Sequence, residues 1–187
     1  MVTAVRRRLL SAIAALALVA SMTVAGATTA LAAPYCGITW GSQAKDQLIP
    51  GYGFVVGIRG GQQDCFDRLV FDIASPGAGG YFVNYVDEVT TDGSGEVVPV
   101  RGGAKLQVVA RNRSWGDDGQ LTLHPDSWTE LVDVTGWRTF RQVTWAGTFE
   151  GDTTVGLGVR ARLPFRAFTI TDPGGRGRLV VDVAHSW

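Results

Sequence analysis

The chain has 187 residues, 45% hydrophobic and 18% charged, and its 17 basic side chains balance 17 acidic ones to a formal net charge of +0. Such a balance excludes the basic footprint of a nucleic-acid binder, and the length gives room for one domain with its own core. At the amino end Arg6, Arg7 and Arg8 precede "LLSAIAALALVA" and a small-residue stretch ending "ALAAP", the layout of a secretory signal peptide. Cleavage after Ala32 places Ala30 and Ala32 at minus three and minus one, and divides the chain into a leader over 1–32 and a domain over 33–187. The apolar run is short against the roughly 20 residues of a membrane span, and none follows downstream, so no transmembrane span is expected in the mature chain. Pro34 and Tyr35 ahead of Cys36 do not fit a lipoprotein site, and the adjacent arginines leave the general secretory and twin-arginine routes both open. Without the three leader arginines, 14 basic side chains face 17 acidic ones, a net charge of −3.

Cys36 and Cys65 are the only cysteines. In an oxidising, exported compartment a disulfide is their default state, ahead of metal binding by two lone thiols. The remainder reads as β. "GYGFVVGIRGGQQDCFDRLVFDI" is a hairpin pattern with a Gly-Gly turn signal, and "GGYFVNYVDEV" is a third run closed by "TDGSGE". After "VPVRGGAKLQVVAR" comes the longest irregular stretch, "NRSWGDDGQLTLHPDSW". The pattern resumes in "WRTFRQVTWAGTFEG", where Trp137 and Trp145 are expected in the core. It continues through "TTVGLGVRARLPFRAFTI", in which Val155, Leu157, Val159, Ala161 and Leu163 alternate with Thr154, Gly156, Gly158, Arg160 and Arg162. Alternation of that kind predicts one face in the core and one in solvent. "TDPGG" then turns into "GRLVVDVAHSW". No segment sustains a 3.6-residue apolar period, so the expected fold is all-β: a single-domain sandwich of two mainly antiparallel sheets with little helix.

One hexapeptide is written twice, as "RLVFDI" from Arg68 and "RLVVDV" from Arg178, with nothing between them repeated. Each copy puts Leu69, Phe71, Ile73 or Leu179, Val181, Val183 on a core face and an Arg, Val, Asp row on the other. Antiparallel neighbours would pair Arg68 with Asp182 and Asp72 with Arg178. Such cross-strand ion pairs add up to about 1 kcal/mol each and fix register.

At this point the sequence resembles the AMIN-like domain of small exported actinobacterial proteins, a relative of the AMIN domain. The resemblance is carried by "DCFDRLVFDI", "GYFVNYVDEV", "VPVRGGAKLQVV", "GWRTFRQVTWAGTFEGDTTVGLGVRARLPFRAFTI" and "RLVVDVAHSW". It implies a β-sandwich of two sheets that acts as a targeting module of the cell envelope, binding peptidoglycan. AMIN domains usually accompany cell-wall amidases or pilus secretins, whereas a single domain, with no second one for such a module to deliver, is expected here.

Signs of an enzyme are weak. "DGSGE" around Ser94 has Asp92 where a nucleophile elbow needs Gly, and no helix follows it. His124 reads as a loop histidine and His185 as a strand-end one, too few for a zinc site. Adjacent acids such as Asp87 and Glu88 point to opposite strand faces, while Asp117, Asp118, Glu150 and Asp152 fall in turns, where carboxylates are solvated or bond their own backbone. No catalytic residue, metal or cofactor is expected, and a cell-wall hydrolase is the lesser alternative.

Candidate ligand-binding residues are Arg160, Arg162 and Arg166, whose guanidinium forks suit carboxylates and phosphates, and Trp115 and Trp128 of the irregular stretch, whose rings suit sugars. The competing reading pairs these arginines with local acids such as Glu150 and Asp152 and packs the two rings. The expected partner is peptidoglycan or another cell-wall polymer, or else an envelope protein, met in the cell envelope or after secretion.

Overall fold

The computed structural model describes residues 34–74 and 76–187; the leader expected over 1–32 lies outside them. After a short 3-10 turn at Tyr35–Gly37 the described residues form β1 (Lys45–Gln47), β2 (Val55–Gln62), β3 (Phe66–Ile73), β4 (Tyr81–Val86), β5 (Val89–Thr90), β6 (Val97–Val98), β7 (Ala104–Ala110), β8 (Phe140–Phe149), β9 (Asp152–Val159), β10 (Phe165–Thr171) and β11 (Gly177–Ala184). One sheet runs β1-β4-β7-β9-β8 and a second β10-β11-β3-β2, while β5 and β6 form a separate ribbon. Both main sheets are antiparallel throughout, so the fold is the all-β sandwich that the short alternating runs imply.

Its core is the meeting of two inner faces. Leu69, Phe71 and Ile73 of β3 and Leu179, Val181 and Val183 of β11 are buried against Val83, Leu106, Val108, Val155 and Leu157 of the other sheet. Each such side chain stabilises the fold by roughly 1.5–3 kcal/mol relative to exposure. Two tyrosines of β4 stitch the layers together. Tyr81 donates to Ala167 O at 2.7 Å; Tyr85 donates to Leu163 O at 2.7 Å and accepts from Leu163 N–H at 3.0 Å.

Two sequence expectations are corrected. Gly60 and Gly61 lie inside β2 rather than at its turn, which falls at Gln63–Cys65, closed by Gln63 N–H donating to Phe66 O at 2.9 Å. A Cβ on Gly60 would stand 2.9 Å from Trp137 Cη2, so this glycine serves a close approach. The alternating run over 154–163 is not one half-solvated strand: β9 ends at Val159, and its Thr154, Gly156, Gly158 row is buried too. The segment around Val100–Arg101 crosses that row, since a Cβ on Gly156 would lie 2.8 Å from Val100 Cγ2 and one on Gly158 1.7 Å from Arg101 O. The residues that follow the long irregular stretch act as an edge cover. Leu131 N–H donates to Val143 O and Trp145 N–H to Trp128 O, both at 2.8 Å, which lays residues 128–131 along β8 and protects that strand's open edge.

The disulfide Cys36–Cys65 joins the segment before β1 to the β2–β3 turn, across a sequence separation of 29. It holds Trp40 against Phe66, with ring centroids 5.9 Å apart, and Gly41 O accepts Phe165 N–H of the β10 edge at 2.9 Å.

Candidate functional site

The two hexapeptides are β3 and β11, central neighbours paired antiparallel with Val70 opposite Val180, Arg68 opposite Asp182 and Asp72 opposite Arg178. Period-2 alternation sends their leucines and Phe71 inward and their Arg, Val, Asp rows to the outer face. The edge strands add Arg166 and Phe168 from β10 and Arg59 from β2. Four arginines therefore share this face with two aspartates, and its middle row runs Phe168, Val180, Val70 and Arg59, apolar over its first three positions. Val70 and Val180 are only 3% and 1% exposed, as expected where arginine stems lie over a sheet with their heads in water.

Each aspartate takes two arginines. Asp182, its side chain wholly buried, accepts Arg68 Nε at 2.7 Å and Arg68 Nη2 at 2.9 Å, and Arg166 Nε at 2.8 Å. Asp72 accepts Arg59 Nε at 2.7 Å and Nη2 at 3.1 Å, and Arg178 Nε at 3.2 Å. Hydrogen bonding to Asp182 raises the pKa of Arg68 above its ordinary value, and hydrogen bonding to Asp72 does the same for Arg59. Each cluster keeps a surplus positive charge after pairing.

The two ends differ in cover. Around Asp182, Trp40 and Phe66 close in, with the Arg166 guanidinium 5.5 Å from the Trp40 ring, 5.3 Å from Phe66 and 5.2 Å from Phe168. Around Asp72 a cleft of about 430 Å³ opens, lined by Val56, Gly57, Arg59, Ile73, Arg176 and Arg178 with Asp72 itself.

The candidate ligand residues do not form one surface. Arg160 and Arg162 lie beyond β9, not on its solvent face: Arg160 donates to the His185 carbonyl, and Arg162 donates to Ser42 O at 3.3 Å and stands 4.6 Å over the Tyr85 ring. Neither pairs with Glu150 or Asp152; Asp152 is met instead by Arg111 at 3.8 Å. Arg166 alone joins the arginine face. Trp115 stacks under Arg113 at 4.4 Å, beside the Val55 end of β2, where Arg113 O accepts Val55 N–H. The Arg160 contact at His185 belongs to the opposite end of β3, roughly 20 Å away at about 3.3 Å per residue. Trp128, 39% exposed, packs edge-on against Trp145 at 5.1 Å. Trp137 and Trp145 are partly buried and pack on the core.

His185 belongs to a buried lock, not an open site. Its Nδ1 is 2.9 Å from Thr139 Oγ1, its Nε2 3.0 Å from Gln63 O and 3.9 Å from Asp67 Oδ1. Asp67 Oδ2 accepts the backbone N–H groups of Thr139 at 2.7 Å and Phe140 at 2.9 Å. Thr139 and Asp67 are fully buried, so this Asp, His and Thr fasten the β2–β3 turn to β8 and the end of β11. Among the described residues no three His, Cys, Asp or Glu side chains converge to hold a metal, and no helix is long and apolar enough to cross a membrane.

Sequence reading missed Arg59, Arg176 and Trp40. Arg59 was within reach, since it sits two residues from Gly57 in the strand that pairs with the first hexapeptide. Its diagonal approach to Asp72 depends on the register shift between Val55 and Gly57, which no residue pattern marks. The model of the AMIN-like domain family matches residues 53–185. No curated protein and no solved structure matches the chain.

Proposed function

Because the chain belongs to the AMIN-like domain family, we propose that it is an exported, non-catalytic binding module that contacts peptidoglycan or an associated anionic cell-envelope polymer. AMIN-like domains are generally non-catalytic binding modules, and the Cys36–Cys65 disulfide fits an extracytoplasmic protein. The observation that carries the reading is the outer face of β10-β11-β3-β2, where four arginines meet two aspartates in a chain whose residues 33–187 carry a net charge of −3. A local positive field on a negative body orients the molecule toward an anionic surface. Wall peptides present carboxylates and wall polymers phosphates, both of which guanidinium forks grip.

Sedimentation of the purified, oxidised protein with cell-wall sacculi tests this. The protein is expected to pellet at low salt and to be released as salt screens the contact. Retention in the supernatant at low salt overturns the wall-binding reading and favours an envelope protein as partner.

A further inference from the structure

The hexapeptide repeat makes the outer face nearly two-fold symmetric, so the two ends can be compared position by position. Shifting from one copy to the other carries Asp72 onto Asp182. The edge-strand residue opposite Asp182 is Arg166, and the one opposite Asp72 is Gly57. At one end the Arg166 side chain, with the Trp40, Phe66 and Phe168 rings about it, fills the space over the carboxylate, whereas at the other the second guanidinium reaches in diagonally from Arg59. At the other end the equivalent side chain is missing, and the cleft of about 430 Å³ stands in its place.

We propose that this cleft is a binding site for a singly charged oxyanion, a carboxylate or a phosphodiester, held by Arg59, Arg176 and Arg178. The proposal deepens the binding reading above and rests on it only for the identity of the polymer.

Charge supports a monoanion. Arg59, Arg176 and Arg178 face Asp72 and Asp172, with Arg176 Nε 3.2 Å and Arg178 Nη2 3.5 Å from Asp172 Oδ2, which leaves one positive charge uncompensated. Donors remain as well. A guanidinium has five N–H groups, and Arg59 commits only its Nε and one Nη2 hydrogen to Asp72, leaving three. Its side chain is 55% exposed, against 30% and 31% for Arg68 and Arg166 at the covered end. Asp72 and Asp172 pair with the three arginines before any ligand arrives, which reduces the side-chain freedom lost on binding. Val56, 47% exposed at the rim, offers an apolar contact to whatever bears the anion.

The cleft can be plugged without touching its charges. A Cβ on Gly57 would lie 3.7 Å from Asp72 Cβ and Oδ2, ordinary contact distance, so Gly57→Val adds methyl groups into the open space. The experiment follows the Gly57 amide and the Arg59 Nε–H by NMR during titration with N-acetylglycine, dimethyl phosphate and the neutral N-acetylglycinamide. Either anion is expected to move both signals while the amide does not. Response to the carboxylate alone assigns the ligand to wall peptides, and response to the phosphodiester alone to phosphate-bearing polymers. Arg59→Gln should weaken binding about tenfold, the loss expected for a hydrogen bond to a charged group, and Gly57→Val should abolish it with the urea midpoint retained.

No shift with either anion, or a Gly57→Val protein that titrates like wild type, overturns the site. Sacculi separate this failure from that of the function. Wild type and Gly57→Val pelleting equally, with no anion response, refutes the cleft and leaves wall binding standing on another face. Wild type that responds to anions but stays in the supernatant refutes wall binding and keeps the cleft.

Discussion

Replacing Tyr85 with Phe removes one oxygen and tests how the two sheets are fastened. The hydroxyl both donates to Leu163 O and accepts from Leu163 N–H, and Leu163 is only 4% exposed, so water has little access to the abandoned groups. Each buried backbone group left unpaired costs about 1–3 kcal/mol, and because the hydroxyl is only part-buried Tyr85→Phe should lose about 2–4 kcal/mol at pH 7, the lower part of the range for two such groups. For a domain of this size that lowers Tm by roughly 5–15 °C. The ring contact with Phe165, centroids 5.6 Å apart, is kept, so the loss reports the hydroxyl. A second signature comes from pH. Burial pushes the Tyr85 phenol up to about 12 from 10.0, so the folded state holds it neutral while the unfolded chain ionises from pH 10. The stabilisation is complete below pH 10 and lost as pH rises toward 12. It amounts to at most about 2 kcal/mol once partial solvation of the ring is allowed for. The gap between wild type and Tyr85→Phe, measured by urea unfolding at fixed pH, should be largest at pH 7 and shrink by up to that amount at pH 12. A gap below about 0.5 kcal/mol at pH 7, or one that stays constant to pH 12, refutes the argument.

Other perturbations read other joints. Asp67→Ala strands the N–H groups of Thr139 and Phe140 and should cost about 2–5 kcal/mol, whereas Asp67→Asn keeps an acceptor and should cost clearly less; a urea midpoint for Asp67→Ala equal to that of wild type would show that the lock does not bear on stability. Reducing Cys36–Cys65 frees a loop with a separation of 29 and should lose roughly 3 to 4 kcal/mol in the chain-entropy model, seen as a lower Tm with reductant; an unchanged Tm would refute it. Gly158→Ala sets a Cβ 1.7 Å from Arg101 O and should destabilise by about 1–3 kcal/mol or more, and a neutral effect would mean that the Val100–Arg101 crossing is loose.

Much of the fold was legible because most β runs alternate cleanly. Leu69, Phe71 and Ile73 must share a face whatever they pack against, and two strands bearing the same Arg-x-x-x-Asp spacing bring opposite charges together when laid antiparallel. What could not be read depends on events outside the strand concerned. The strand in the alternating run over 154–163 ends at Val159, well before Pro164, so Arg160 and Arg162 fall in a connection. The outer row of β9 looks solvent-facing because Thr154, Gly156 and Gly158 are small, and that smallness is what admits the crossing at Val100–Arg101. The cleft was invisible for a related reason. It exists because a register shift at Val55–Gly57 puts a glycine opposite Asp72 and moves Arg59 to the diagonal, and a bulge of one residue leaves no mark in a sequence already rich in glycine.

The surplus arginines are the feature that stability alone does not account for. One cross-strand arginine per aspartate would fix the register of β3 and β11, and at the partly exposed Asp72 an ion pair contributes only about 0–1 kcal/mol, so a second cation there adds little stability and leaves a repulsive charge behind. At Asp182 the carboxylate is buried and both guanidiniums pair with it, while Trp40, held through the disulfide, lies against the Arg166 guanidinium as a cation–π partner. At Asp72 nothing comparable covers the charge, and Gly57 keeps the space above it clear. An excess cation that is enclosed where the chain supplies a roof, and open where it supplies a glycine, is the arrangement expected if the counter-charge at the open end comes from another molecule.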